Sequence, residues 1–182
     1  FDDVPPMDRY LFQLTVLGNG YGGLEHRDST SLLCSRGDLP LPGAAAVSDT
    51  YRRFLGLASH EYFHLWNIKR IKPAALTPYQ LGHESYTSLL WVFEGITSYY
   101  DDLALVRSGL IAPASYLELL GQMITRVIGG SGRFKQTLSE SSFDAWTRFY
   151  KQDENAPNAI VSYYAKGALV ALALDLNIRL KS

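Results

Sequence analysis

The sequence predicts an α+β fold, a small N-terminal β-sheet followed by a mainly helical part, and three observations predict it. "YLFQLTVL" (10–17) is rich in β-formers and ends at the turn signal "GNGYGG" (18–23). From Ser48 onward apolar residues recur at helical spacing. At 182 residues, with 47% hydrophobic and 19% charged residues, the chain reads as a single globular domain, 1–182, with room for a core.

"LEHRDSTSLLC" (24–34) follows the first strand as one or two short strands, and "RGDLPLPGAAA" (36–46) reads as a loop. Ser48 or Asp49 caps a helix carrying Tyr51, Leu55, Ala58, Tyr62 and Leu65 on one face. "NIKRIKP" (67–73) ends it: Lys69, Arg70 and Lys72 suit the C-terminal dipole, and Pro73 prevents continuation. After a loop to about residue 84, a second helix spans 86–107, with Leu89, Phe93, Ile96, Tyr100 and Leu103 along one side. A third covers 112–128 with Pro113 in its first turn. "GGSGRF" (129–134) links it to a fourth over 139–150, "DENAPN" (153–158) is a loop, and a last helix over 163–180 packs through Leu169, Leu172 and Leu176.

A net charge of −1 makes no general electrostatic case for nucleic acid or an anionic membrane as partner. The most apolar segment, "GALVALALDL" (167–176), is too short to span a bilayer and contains Asp175. The N-terminus lacks the basic and apolar regions of a signal peptide. Cys34 is alone, which precludes an internal disulfide and leaves the compartment open. The chain begins without Met and stops inside a helical pattern, so a piece of a longer polypeptide is expected.

The chemistry concentrates in "SHEYFHLWN" (59–67). His60 and His64, four apart on a helix, present both imidazoles to one point. Glu61 is turned about 100° away, outside the ligand set yet near a water that the metal activates. That is the equipment for hydrolysing an unactivated amide. The bland alternative is an ordinary helix with two partly buried histidines. A catalytic zinc takes three protein ligands. The position six after His64 is Arg70, so a third histidine at that spacing is absent. Glu94, a carboxylate in the apolar, aromatic stretch "LLWVFEGITSYYDD" (89–102), is the candidate, with pairing to Arg107 or Lys69 as its structural alternative and the loop residue His83 as a rival.

"HEYFHLWNIKRIKP" with "WVFEGITSYY" resembles the glycyl aminopeptidase family of zinc metallopeptidases, gluzincins that join a thermolysin-like catalytic domain to a PDZ domain. The resemblance runs through about residues 20–175. It implies a thermolysin-like fold, Zn2+ as cofactor, His60, His64 and Glu94 as ligands, and Glu61 as general base. "GGLEH" (22–26) is similar to the strand by which zinc aminopeptidases bind the substrate's free amine, which implies Glu25 as amine anchor. His26 stands where the broader pattern has Asn. "SYYAKGAL" (162–169) is similar to the segment carrying the oxyanion-binding tyrosine, which implies Tyr164, with Tyr163 beside it as the alternative. Where related sites often carry an acidic residue that orients a ligand histidine, this chain has Ser98; Asp101, Asp102 or a backbone carbonyl would take that task.

The expected function is therefore an aminopeptidase acting on a peptide or protein, with a Gly or Ala preference implied by the resemblance alone. The alternatives are an endopeptidase with Glu25 structural and a non-catalytic interaction module that keeps the metal. Nothing in the sequence specifically supports an epoxide hydrolase-like activity.

Overall fold

The computed structural model describes residues 5–44 and 46–182; the first four residues and Ala45, within the expected 36–46 loop, lie outside the described residues. The chain is mixed α and β, with one small sheet and a mainly helical remainder, and divides into two compact units, Phe1–Arg70 and Ile71–Ser182.

In the first unit, β1 (Leu11–Leu17), β2 (Gly22–Glu25) and β3 (Ser29–Ser35) form a three-stranded sheet in the order β1-β3-β2. The segment 24–34 thus resolves into two strands, divided at the His26–Asp28 turn. β3 runs parallel to β1, with Leu14 opposite Leu32, and antiparallel to β2, with Glu25 opposite Thr30. Thr30, Leu32 and Cys34 point to the same face and are buried, the period-two pattern of a strand with one covered side. β1 is exposed along its whole length, including Leu11, Phe12, Leu14, Val16 and Leu17. α1 (Asp49–Phe63) starts where Ser48 accepts a hydrogen bond from the Tyr51 amide, and it packs on β2 and β3.

α1 ends at the cap His64, ahead of the expected 67–73 stretch, and the chain leaves through Ile68 at φ 102°. Arg70 fixes this exit: its guanidinium donates to the carbonyls of Leu65, Arg27 and Pro6 and pairs with Asp28.

In the second unit, the helix expected at 86 begins only at residue 90. The Thr87 hydroxyl accepts from the Leu89 amide and holds the preceding residues in a turn. A π-helical turn, Trp91–Gly95, leads into α2 (Ile96–Arg107). α3 (Pro113–Gly129), α4 (Leu138–Phe143), a second π-helical turn (Ala145–Phe149), α5 (Ala156–Ala159) and α6 (Tyr163–Arg179) follow. The expected 139–150 helix is therefore two pieces broken at Asp144, and the 153–158 loop contains the start of α5.

The core of this unit gathers Tyr99, Ala168 and Ala171, with Ile96, Tyr100, Leu103, Met123 and Leu172 against them. α6 does not pack chiefly through its leucines: Leu176 is exposed, and the buried positions are Tyr163, Ala165, Gly167, Ala168 and Ala171. The cause is close approach. A Cβ on Gly95 would lie 2.6 Å from the Gly167 Cα, and one on Gly167 would lie 2.9 Å from the Gly95 Cα. Two backbones at that distance leave no space for a Cβ at either glycine, and the buried neighbours of Gly167 on α6 include Ala165 and Ala168. Asp175 is accounted for by polar partners, accepting from the Tyr99 hydroxyl at 2.7 Å and pairing with Arg179 at 2.8 Å. Among the described residues no helix is long and apolar enough to cross a membrane.

Candidate functional site

In the first unit, the last turn of α1 carries the HExxH residues. The His60 and His64 rings lie 4.7 Å apart between centroids, edge to face, as i and i+4 positions on one helix face. His64 is 2% exposed. Its Nδ1 is 2.9 Å from the Asn67 carbonyl oxygen, an acceptor only, so Nδ1 carries the proton and Nε2 keeps its lone pair. For this histidine a backbone carbonyl is the orienting partner.

The carbonyl reaches back because of the strained residue after it. A β-branched side chain at φ 102° is a conformational outlier, costing about 1–3 kcal/mol. Arg70 holds the turn closed around it. Sequence gave no signal for this, since Ile is among the residues least suited to positive φ.

Glu61 is buried at 5% exposure, on α1 where β2 passes. Its carboxylate lies against Gly23 so closely that a Cβ at Gly23 would overlap it. Glycine is needed here for space. The Tyr10 hydroxyl donates to the Glu61 carbonyl at 3.4 Å, and burial, then the Glu61 charge, pushes its pKa up. Glu25, the expected amine anchor, closes β2 two residues after Gly23. Its carboxylate pairs with Lys69 Nζ at 3.1 Å, both side chains about one-fifth exposed. The "GG" before "LE" was the legible hint for Gly23; the Lys69 partnership had none. His26 is exposed and contacts the Leu24 carbonyl through Nδ1.

In the second unit, Glu94 lies in the π-helical turn, half-buried between the buried Phe93 and Gly95. It lines a groove of about 700 Å³ together with Leu76, Leu81, Leu90, Trp146 and Tyr150, and His83 lines it too. The two tyrosines at the start of α6 stack at 4.6 Å between ring centroids. Both hydroxyls lie 3.2 Å from the Tyr150 hydroxyl, which joins them into a three-phenol cluster. Tyr163 lines the groove with Glu94, whereas Tyr164 lines a smaller cavity with Ser98, Asp101 and Asp102. Burial first, then the Glu94 charge, drives the Tyr164 pKa far above the usual phenol value. Burial, then the Tyr150 hydrogen bond, does the same for Tyr163. Both are neutral donors at any working pH. Tyr150 escaped sequence reasoning because "DAWTRFY" reads as an aromatic helix face and nothing in it marks a shared hydroxyl.

Among the described residues, the donors that could hold a metal ion are the imidazoles of His60 and His64 and the carboxylate of Glu94.

The profile of the M61 glycyl aminopeptidase family matches residues 53–170. No curated protein sequence matches. Among solved structures, the chain is similar to an aminopeptidase N family protein from Idiomarina loihiensis, with 58% sequence identity and a TM-score of 0.94 over 96% of this chain. The chain spans 30% of that protein's length.

Proposed function

The chain belongs to the M61 glycyl aminopeptidase family, and we propose that it carries the catalytic domain, of thermolysin-like fold, of a zinc-dependent peptidase that removes N-terminal residues. The observation that carries this reading is the HExxH turn with its outer support: His64 is oriented through Nδ1 by the Asn67 carbonyl, which leaves Nε2 for a metal. Two imidazoles and a carboxylate, His60, His64 and Glu94, make a His2Glu donor set, which suits zinc. When bound, zinc supplies Lewis acidity toward the scissile carbonyl and acidifies water.

The chain's own residues do the rest. Glu61 takes a proton from the attacking water onto its carboxylate and returns it to the leaving nitrogen. A phenol of the Tyr150–Tyr163–Tyr164 cluster, Tyr164 by resemblance, donates to the oxyanion as charge develops. Glu25 receives the substrate's α-ammonium, and a small first residue, Gly or Ala, is the family's preference.

A second reading is favoured by one observation. The ion pair of Glu25 with Lys69 supplies that carboxylate with a cation, which is what an endopeptidase with a structural Glu25 would need.

The deciding experiment for the metal is mass spectrometry of the purified chain. About one zinc per chain, lost in Glu94→Gln, is expected for a three-ligand site. Zinc that stays bound in the variant overturns the ligand set. Zinc-loaded protein that hydrolyses no peptide overturns the peptidase reading.

A further inference from the structure

We infer that the groove beside Glu94 is a subsite for one large apolar, preferably aromatic, side chain of the substrate, on the residue that follows the bond that is cut. The inference rests on the peptidase reading above and names a preference that reading does not contain.

The groove's size, about 700 Å³, falls in the range of ligand pockets and exceeds what a glycine or alanine would fill. Its apolar lining is Leu76, Leu81, Leu90, Ala145, Trp146 and the ring of Tyr150. Several of these stand in water: Trp146 is 48% exposed and Tyr150 61%. A side chain inserted between them removes apolar surface on both partners from solvent.

The walls are tied together. The Trp146 indole N–H donates to the Ser85 carbonyl at 3.3 Å, joining the second π-helical turn to the loop that bears Leu81 and His83. Trp146 also lies 6.2 Å from the Tyr150 ring, a tilted aromatic pair.

Charge narrows the occupant further. Glu84 and Glu94 line the groove, and neither Lys nor Arg does, so the carboxylates of its lining disfavour an acidic side chain. Glu94 in its lining makes the groove continuous with the proposed metal ligand, which distinguishes a substrate subsite from an unrelated surface hollow.

The test compares N-acetyl-phenylalaninamide, N-acetylglycinamide and N-acetylaspartamide, titrated into the zinc-loaded chain and followed by NMR at the Trp146 indole N–H. Burying one aromatic side chain corresponds to about tenfold tighter binding or more for the phenylalanine compound than for the glycine one. The aspartate compound binds weakest. In variants, where binding is followed by isothermal titration calorimetry, Trp146→Ala abolishes the preference and Trp146→Phe retains it. Equal binding of all three, or resonance shifts confined to residues away from the groove, overturns the inference, and the wild-type series decides this without any variant.

Cleavage of a mixed peptide library separates the two readings. Peptides cut with no preference for aromatic residues at any position sink the subsite and spare the peptidase. Aromatic compounds bound in the groove by a chain that cuts no peptide sink the peptidase reading, and with it the groove's role as a substrate subsite.

Discussion

The Glu61 carboxylate occupies the space where Gly23 has no side chain. The proposed general base is thus positioned by what a strand residue lacks. An added methyl would meet the mobile end of Glu61 rather than backbone, so the fold can accept it while the carboxylate moves. Gly23→Ala is expected to lower kcat about a hundredfold, the scale of a misplaced catalytic group, with the melting temperature nearly unchanged. Steady-state kinetics beside a thermal melt checks this, and a full-rate variant would detach Gly23 from the chemistry.

Glu25 and Lys69 give a second test, because the same carboxylate cannot serve a half-buried lysine and a substrate amine equally. Loss of a charge-assisted hydrogen bond is worth roughly tenfold or more in kcat/KM. Glu25→Gln should show that loss on free-amine peptides and spare their N-acetylated versions. Equal loss on both would assign Glu25 to its ion pair and favour the endopeptidase.

The phenols are separable by single oxygen deletions. Removing the hydroxyl that meets the oxyanion costs about 10²–10³ in kcat with KM little changed. Tyr164→Phe is expected to show this. Tyr163→Phe and Tyr150→Phe, which remove the hydrogen bonds among the three hydroxyls, should cost less. If Tyr163→Phe carries the large effect instead, the roles of the neighbours are exchanged.

Stability should fall at alkaline pH. Tyr10, Tyr99, Tyr163 and Tyr164 all have pKa values raised by burial in the folded chain; Tyr99 is raised further by its bond to Asp175. The unfolded chain ionises these phenols near the ordinary value of 10.0, while the folded chain holds their protons. Below that pH both states bind the same protons and the groups contribute no slope. Above about pH 10 the unfolded state binds fewer, so unfolding becomes easier as pH rises. Urea midpoints at pH 8, 10 and 11 should be flat, then decline. A constant midpoint to pH 11 would contradict the burial of these hydroxyls.

Much of the fold was legible in local pattern. The turn signal at 18–23, the Ser48 cap and Pro113 placed their elements within a few residues, because each acts through its own neighbours. What escaped was set by distant partners. Asp144 breaks a periodic helix, and Gly95 meets Gly167 seventy-two residues away in sequence, which turns α6 from a leucine-packed helix into one packed through small residues. The same division holds for functional residues. HExxH spacing is a property of one helix and could be read directly. The Asn67 carbonyl depends on a strained Ile68, and the Lys69–Glu25 pair on a strand and a turn meeting in three dimensions.

β1 has a practical consequence. Five large apolar residues, Leu11, Phe12, Leu14, Val16 and Leu17, lie uncovered on a strand at the sheet's edge, with no Lys or Pro in it to discourage pairing. Prepared by itself, this stretch of polypeptide should precipitate as it is concentrated, and turbidity rather than denaturation would set its storage limit. A lysine in place of Val16 is the conservative remedy for anyone who needs it at the bench.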